Sequence, residues 1–142
     1  MRARVLLAAA LIWAGAGGAP LAQEEALSPP LTAAEIRAAI LGHELSGVTA
    51  ESGIPWMECI TPEGDTVYRF GPLPAQIGRV QVTEEGQACF SYAESGFTRE
   101  ACWTMRRRGE RLQFDDAEGV SESFLVLARP RVNGCSAEAP SV

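Results

Sequence analysis

Four cysteines are the residues of this chain whose type and spacing point most directly to chemistry. Cys59, Cys89, Cys102 and Cys135 all follow an N-terminal segment with the features of a secretion signal. In a short exported chain, an even number of cysteines predicts a disulfide framework. No pair has the C-x-x-C spacing that is typical of zinc sites. We therefore expect two disulfides, no metal site and no cofactor.

The residues around two of these cysteines predict how they pair. If Cys89 and Cys102 lie opposite each other on antiparallel strands, residues 94–97 form a four-residue hairpin loop. The same register places Phe90 and Trp103 together on the other face of the hairpin. The disulfide and the apolar pattern thus indicate one register, and we predict a Cys89–Cys102 bond.

The second disulfide follows by elimination. Four cysteines allow three pairings, and a Cys89–Cys102 bond leaves Cys59 to pair with Cys135. This bond would tie the C-terminal segment to the predicted strand that carries Trp56.

Carboxylates are numerous, and two of them facing each other could perform acid–base hydrolysis. The candidates are Glu58, Glu63, Asp65, Asp115, Asp116 and Glu118. Most lie in or beside predicted turns, where acidic residues are expected for solvation and turn hydrogen bonds. Residues 115–119 (DDAEG) are dense enough in carboxylates to bind calcium weakly, but they lack the spacing of an EF-hand loop. A solvated turn is the favoured interpretation.

The basic residues suggest structural roles. His43 is the only histidine and follows Gly42 at the end of a predicted helix, where a cation interacts favourably with the helix dipole. Residues 106–108 are three consecutive arginines, which we interpret as a solvated hairpin end. Because G-x-S-x-G does not occur either, we assign no catalytic residue and consider an enzyme the less favoured interpretation.

The elements that must position these residues begin after the export signal. A positively charged start precedes an apolar run over residues 5–14 and then small residues. The run is shorter than the roughly 20 apolar residues of a membrane-spanning helix, so we expect no stable membrane anchor. Cleavage after Ala22 is favoured, with Ala16 and Ala19 as alternatives. The boundaries expected from these patterns are a signal peptide at 1–22, a flexible lead-in at 23–30, one β-rich domain at 31–135 and a disordered tail at 136–142.

A short helix is predicted at the start of the domain. Thr32 is a good N-cap residue, and Glu35 three positions later completes a capping box. Apolar residues at helical spacing, beginning with Ile36, form one face. Gly42 is a typical residue to end a helix. These signals predict a helix over Ala33–Leu41 that must pack against a larger element, because so short a helix is marginal alone.

That larger element is predicted to be an antiparallel sheet. From residue 44 onward the chain divides into short segments separated by turn residues, and one strand carries Gly47 as a candidate bulge. The expected fold is mainly β, a meander or small barrel of about seven to eight strands preceded by one short α-helix. The predicted strands are 44–50, 54–61, 66–70, 77–83, 87–93, 98–107, 111–115 and 121–128.

Charge excludes one class of partner. The chain has 12 basic and 18 acidic residues, a net charge of −6. Without Arg2 and Arg4 of the predicted signal, 10 basic residues remain against 18 acidic ones, which gives −8. Nucleic acid is therefore not an expected partner, since phosphate binding needs a basic face.

The order of these parts resembles a loose group of small secreted alphaproteobacterial proteins of unknown function. The resemblance extends from Leu31 to about Cys135, and it implies a fold and a compartment but no activity. The residues that carry it are Leu31-Thr32-Ala33-Ala34-Glu35-Ile36-Arg37, Gly42, Gly47, Gly86-x-x-Cys89-Phe90 and Cys102-Trp103.

Two functions from different classes remain open. The first is a periplasmic or secreted non-enzymatic binding module, whose partner is either an unknown protein or a small apolar ligand in a barrel mouth. The alternative is a carboxylate-dependent hydrolase of the cell envelope. An empty apolar cavity would favour the small ligand, and a filled barrel would favour a surface interaction with a protein. Two facing, buried carboxyls would favour the hydrolase.

Overall fold

The computed structural model describes residues 25–94, 97–130 and 134–136, with the backbone alone for residues 94, 97–99 and 121–126. The predicted signal peptide and residues 137–142 of the predicted tail lie outside the described residues. The fold is a closed antiparallel barrel in which each strand pairs with the next and the last strand pairs with the first. Its elements are α1 (Ala33–Ile40), β1 (His43–Thr49), β2 (Pro55–Ile60), β3 (Asp65–Phe70), β4 (Gln76–Val82), β5 (Gln87–Glu94), β6 (Phe97–Arg108), β7 (Arg111–Asp115) and β8 (Ser121–Pro130).

The predicted fold class is therefore confirmed, with one helix before eight strands among the described residues. The strands end near the turn residues that the sequence analysis used to separate them. In the β2–β3 turn, Gly64 has a φ of +91°, and a Cβ atom there would lie 2.6 Å from the carbonyl oxygen of Val80. Only glycine fits both conditions, so this turn can lie directly against β4.

Helix α1 begins with the predicted capping box. The backbone N–H of Thr32 donates to Glu35 Oε2 at 2.8 Å, and the backbone N–H of Glu35 donates to Thr32 Oγ1 at 3.3 Å. The hydrogen bond from the Thr32 backbone is the main reason that the pKa of Glu35 is lowered. The helix ends at Ile40, one residue before the predicted end, and Gly42 follows with a φ of +74°.

The helix closes one end of the barrel. Ile36 and Ile40 are fully buried and belong to the same apolar cluster as Leu45 of β1 and Ala88 of β5. The helix lies against β1, β4 and β5. Packing of this apolar face stabilises both parts, because neither a short isolated helix nor an unfilled barrel end is favourable in water.

The segment before the helix is paired with the sheet. The backbone N–H of Ser28 donates to the carbonyl of Arg107 at 2.8 Å, and that of Leu31 donates to the carbonyl of Met105 at 2.8 Å. The Ser28 side chain accepts the N–H of Arg107 at 2.8 Å. Because β6 extends beyond its pairing with β5, this segment covers hydrogen-bonding groups that would otherwise lie along an open edge.

Both predicted disulfides are present. Cys89 lies opposite Cys102 in the register of β5 and β6, and the two are bonded. Pairing continues to Glu94 and Phe97, so each strand is longer than predicted and takes one residue from each end of the predicted four-residue loop. The two residues between them, 95 and 96, lie outside the described residues.

The second disulfide joins Cys59 of β2 to Cys135, 76 residues later. It therefore attaches the segment that follows β8 to the wall of the barrel. The predicted bulge at Gly47 is also found, since the register between β1 and β8 shifts between Ser46 and Val48.

Candidate ligand-binding site in the barrel

The end of the barrel opposite the helix contains a cavity of about 350 Å³. Strand alternation explains which side chains reach it, because every second residue of a barrel strand faces inward. The lining residues come from seven strands, β1 to β7, and from the β3–β4 loop: Thr49, Trp56, Glu58, Tyr68, Phe70, Leu73, Pro74, Gln76, Phe90, Tyr92, Ala101, Trp103 and Phe114.

Seven of these lining residues are aromatic, and their rings contact one another around the wall. The ring centroids of Tyr68 and Tyr92 are 5.4 Å apart, and those of Phe90 and Trp103 are 5.6 Å apart in an edge-to-face arrangement. Phe114 meets Trp103 edge to face at 6.5 Å. Such tilted pairs are the favourable geometry for aromatic rings. They hold the wall in a defined shape.

A glycine positions one of these rings. Gly78 on β4 lies opposite Tyr92 in the strand register. A Cβ atom at Gly78 would lie 2.5 Å from Tyr92 Cδ1 and 2.3 Å from the carbonyl oxygen of Ser91. The tyrosine ring therefore occupies the space that a side chain at position 78 would need. This placement brings the Tyr92 hydroxyl to the middle of the barrel.

The group that the Tyr92 hydroxyl meets is the carboxyl of Glu58 on β2. Glu58 is only 4% exposed. The Tyr92 hydroxyl donates to its Oε1 at 2.5 Å, and Thr66 Oγ1 donates to the same oxygen at 2.6 Å. Among the described residues none donates to Oε2. The carboxyl is thus held firmly by one oxygen, while the other receives no hydrogen bond from the described residues.

Burial controls the protonation of this group. Desolvation raises the pKa of Glu58 to about 7, and the hydrogen bonds from Thr66 and Tyr92 offset only part of that effect. Burial and then the nearby Glu58 charge raise the pKa of Tyr68 to about 12. The same two causes raise the pKa of Tyr92. Near neutral pH the two tyrosines are therefore hydroxyl donors, and Glu58 exchanges between its acid and carboxylate forms.

A further polar group in this wall has no hydrogen-bond partner among the described residues. The indole Nε1 of Trp56 is buried, and no described residue accepts its hydrogen. Unpaired buried donors are rare in folded proteins, and they occur more often where a site is built for something other than stability.

The rim of the cavity is apolar on one side. Leu73 in the β3–β4 loop lines the cavity although it is 56% exposed. The turn between β1 and β2 also borders the cavity through Thr49. Hydrogen bonds hold this turn in place: Thr49 Oγ1 lies 2.7 Å from Ser52 Oγ and accepts the backbone N–H of Ile54 at 3.1 Å. The cavity therefore reaches the surface beside an exposed leucine and a hydrogen-bonded turn.

The other residues singled out in the sequence lie elsewhere. The disulfide Cys89–Cys102 is on the outer side of β5 and β6, since Phe90 and Trp103 beside them face inward. His43 lies at the closed end, where its Nδ1 donates to the carbonyl of Leu41 at 2.9 Å. This contact with the residue that caps the helix agrees with the structural role expected for His43.

The remaining candidate carboxylates serve turns and ion pairs. Asp115 pairs with Arg106 at 3.1 Å and accepts from Gln113 at 2.8 Å. Asp116 Oδ1 accepts the backbone N–H groups of Glu118 and Val120, at 3.0 and 2.8 Å, so the expected turn is present from Asp116 onward. Asp115 is not part of it, because it ends β7 and is only 3% exposed. Across the described part of the chain, no group of three His, Cys, Asp or Glu residues is placed to hold a metal ion.

Glu58 stands out in the sequence only as one acid among six, and its burial is not predicted there. The signal that could have found it is the alternation of β2, which places Glu58 on the same face as Trp56 and Ile60. A lone carboxylate between two large inward-facing apolar residues indicates an acid inside the barrel.

Comparison with known protein families, with curated proteins and with solved structures finds no match to this chain. In the described part of the chain, no helix has the length and apolar character needed to cross a bilayer. The two disulfides fit an oxidising compartment.

Proposed function

We propose that this protein is a non-enzymatic binding module of the periplasm or the secreted fraction, and that it takes a small, mostly apolar ligand in the barrel cavity. The observation that carries the proposal is the aromatic-lined cavity of about 350 Å³ at the end opposite the helix. The predicted export signal and the two disulfides support the compartment.

The cavity has the composition of a ligand site. Small-molecule sites are mostly apolar concavities of about 300–1,000 Å³ with a few polar groups that orient the ligand. This one lies at the lower end of that range, and three of its polar residues, Glu58, Tyr68 and Tyr92, lie together. Folded interiors are normally filled, so an open, aromatic-lined space of this size inside a barrel is a feature that a ligand site explains.

The hydrolase receives less support from this geometry. A two-carboxylate mechanism needs a second acid facing the first across the substrate. Among the described residues that line the cavity, Glu58 is the only carboxyl group. Its two hydrogen bonds come from hydroxyl groups, which hold it in place but do not supply that second acid.

Two tryptophans make the proposal directly measurable. Trp56 and Trp103 both line the cavity, and the third tryptophan, Trp13, lies in the predicted signal peptide. Intrinsic fluorescence of the mature chain therefore reports on the cavity alone. The probe is N-phenyl-1-naphthylamine, an uncharged aromatic fluorophore that brightens in apolar surroundings. We expect saturable brightening together with quenching of tryptophan emission.

A matched pair of variants tests the location. Ala101→Phe places a ring inside the cavity, whereas Ile77→Phe adds a ring on the outer surface, where Ile77 is 64% exposed. The first should abolish probe binding and the second should preserve it, with unchanged thermal midpoints as the control for folding. Absence of probe binding by the wild-type protein, or equal binding by both variants, would refute the proposed site.

A further inference from the structure

We propose that the ligand of this cavity is a small protonated amine whose ammonium group donates to Glu58 Oε2, with its apolar part against the aromatic wall. This inference rests on the proposed function and adds the chemical class of the ligand. Three features of the cavity carry it: the unequal hydrogen bonding of the carboxyl oxygens, the charges around the carboxyl and the aromatic rings beside it.

The hydrogen bonding leaves one acceptor open. Oε1 receives both hydroxyl donors, from Thr66 and Tyr92, at 2.6 and 2.5 Å. Oε2 receives none from the described residues, although the side chain is 4% exposed and lines the cavity. Oε2 is therefore an acceptor on the cavity wall that a ligand can reach, and a ligand that carries N–H groups complements it.

The charges around Glu58 favour a cation over a neutral donor. The titratable groups that face it are Tyr68 from β3 and Tyr92 from β5, both in their neutral form near pH 7 because their pKa values are raised. The other described residues of the lining are uncharged. Among the described lining residues an ionised Glu58 therefore has no partner of opposite charge, and a buried charge is stabilised chiefly by such a partner.

One basic residue requires a separate control. Arg99 on β6 stands opposite Tyr92 in the strand register. A basic residue on a strand beside the cavity would favour an anionic ligand, so the opposite preference is tested as well. The experiment below therefore includes Arg99→Gln.

The aromatic wall provides the rest of an ammonium site. Tyr68 and Tyr92 lie beside Glu58, and Trp56 on the same strand also lines the cavity. Cations are attracted to the faces of such rings, most strongly where water is excluded. The net negative charge of the chain favours approach of a cation over approach of an anion.

The test uses probes that share a hydrocarbon skeleton and differ only in the polar group. One set is 2-phenylethylamine, 2-phenylethanol and 3-phenylpropionate, and a second set carries a cyclohexyl ring in place of the phenyl ring. Each probe is titrated against the mature protein by displacement of N-phenyl-1-naphthylamine and by tryptophan quenching. We expect the amines to bind at least about tenfold more tightly than the alcohols, since the amine adds a hydrogen bond to a charged group.

Two variants and a pH series assign the preference to Glu58. Glu58→Gln keeps an acceptor for Thr66 and Tyr92 but removes the charge, so amine and alcohol should bind equally. Glu63→Gln removes the same charge from an exposed turn and should leave the preference intact. Because burial raises the pKa of Glu58 to about 7, amine affinity should rise about tenfold from pH 5.5 to pH 8, and alcohol affinity should not.

The outcomes separate the two proposals. If N-phenyl-1-naphthylamine binds but the alcohols or carboxylates bind as tightly as the amines on both hydrocarbon skeletons, the amine inference is wrong and the proposed binding cavity is retained. The amine inference is equally wrong if Glu58→Gln retains the preference, or if the wild type prefers carboxylates and Arg99→Gln reverses that order. If no probe binds at all, the cavity itself is not a site and both proposals fail.

Discussion

The two ends of the barrel are built on the same eight strands, yet one end is filled and the other is hollow. At the closed end, inward-facing aliphatic residues such as Leu45 and Ile60 pack with Ile36 and Ile40 of the helix, and all four are at most 1% exposed. At the open end, aromatic residues surround a cavity of about 350 Å³ with Glu58 at its inner limit.

The difference shows that strand alternation decides which side chains face inward but not whether they fill the space. Aliphatic side chains and a helix close one end with an apolar core, which stabilises the fold by removing surface from water. At the other end no helix enters among the described elements, and the barrel retains space, a buried carboxyl and an unpaired indole N–H. The closed end contributes to the stability of the fold, and the open end contributes less than a filled core would.

The largest expected effect tests the closed end. Ile36→Ala should lower the free energy of unfolding by about 4 kcal/mol, because Ile36 is fully buried and its truncation leaves a cavity between helix and barrel. Denaturant unfolding measures the loss, and probe titration of the remaining folded protein should give an unchanged dissociation constant. A loss of affinity in the folded variant would show that the two ends are not independent.

The disulfide on the outer face of the open half should affect stability and not binding. Replacing both Cys89 and Cys102 by serine should lower the free energy of unfolding by about 3 kcal/mol, since the bond closes a short loop. The side chains that face the cavity, Phe90 and Trp103, are unaltered by the change. Calorimetry and probe titration check the two parts, and lost binding in a folded variant would place the disulfide inside the site.

The buried acid of the open end should make stability depend on pH. Folding raises the pKa of Glu58 from 4.5 to about 7, so the folded state holds a proton that the unfolded state has released. Stability should therefore fall as pH rises from about 4.5 to about 7, by roughly 3 kcal/mol at most. Unfolding of Glu58→Gln provides the reference, and parallel pH curves for the two proteins would contradict a raised pKa.

Two alanines allow the same change to be made at each end. Ala88 on β5 is fully buried in the filled core, whereas Ala101 on β6 lines the cavity. Ala88→Leu should cost about 2 kcal/mol through overpacking, and Ala101→Leu should cost much less because space is present. Thermal midpoints decide the comparison, and equal losses would mean that the cavity wall does not accommodate added volume.

The smallest effect concerns the start of the helix. Thr32→Ala removes the side-chain acceptor of the capping box and should lower stability by about 1 kcal/mol. Ser46→Ala, on an outward-facing position of β1 far from the helix N-terminus, serves as a comparison for loss of a hydroxyl. Equal denaturant midpoints for wild type and Thr32→Ala would exclude a stabilising role of the cap.

Local signals were sufficient for the elements whose stabilising contacts lie close together along the chain. The capping box needs only Thr32 and Glu35, and it is found as predicted. The pairing of Cys89 with Cys102 needs only the alternation of two adjacent strands, and it is also found. The strand ends differ from the predicted ones by up to two residues in either direction, since cross-strand hydrogen bonds, and not turn residues alone, set where pairing stops.

Patterns in the amino-acid sequence were enough to predict the helix, the succession of strands and the Cys89–Cys102 bond, because each is specified by neighbouring residues or by the parity of alternate positions. The Cys59–Cys135 bond then followed by elimination. The pairing of β8 with β1 and the contact of Glu58 on β2 with Tyr92 on β5, 34 residues later in the chain, became visible only in the folded barrel. Closure sets the distance between inward-facing side chains of different strands. That distance determines both the volume left empty and the water excluded from the carboxyl, and neither quantity is a property of any single segment.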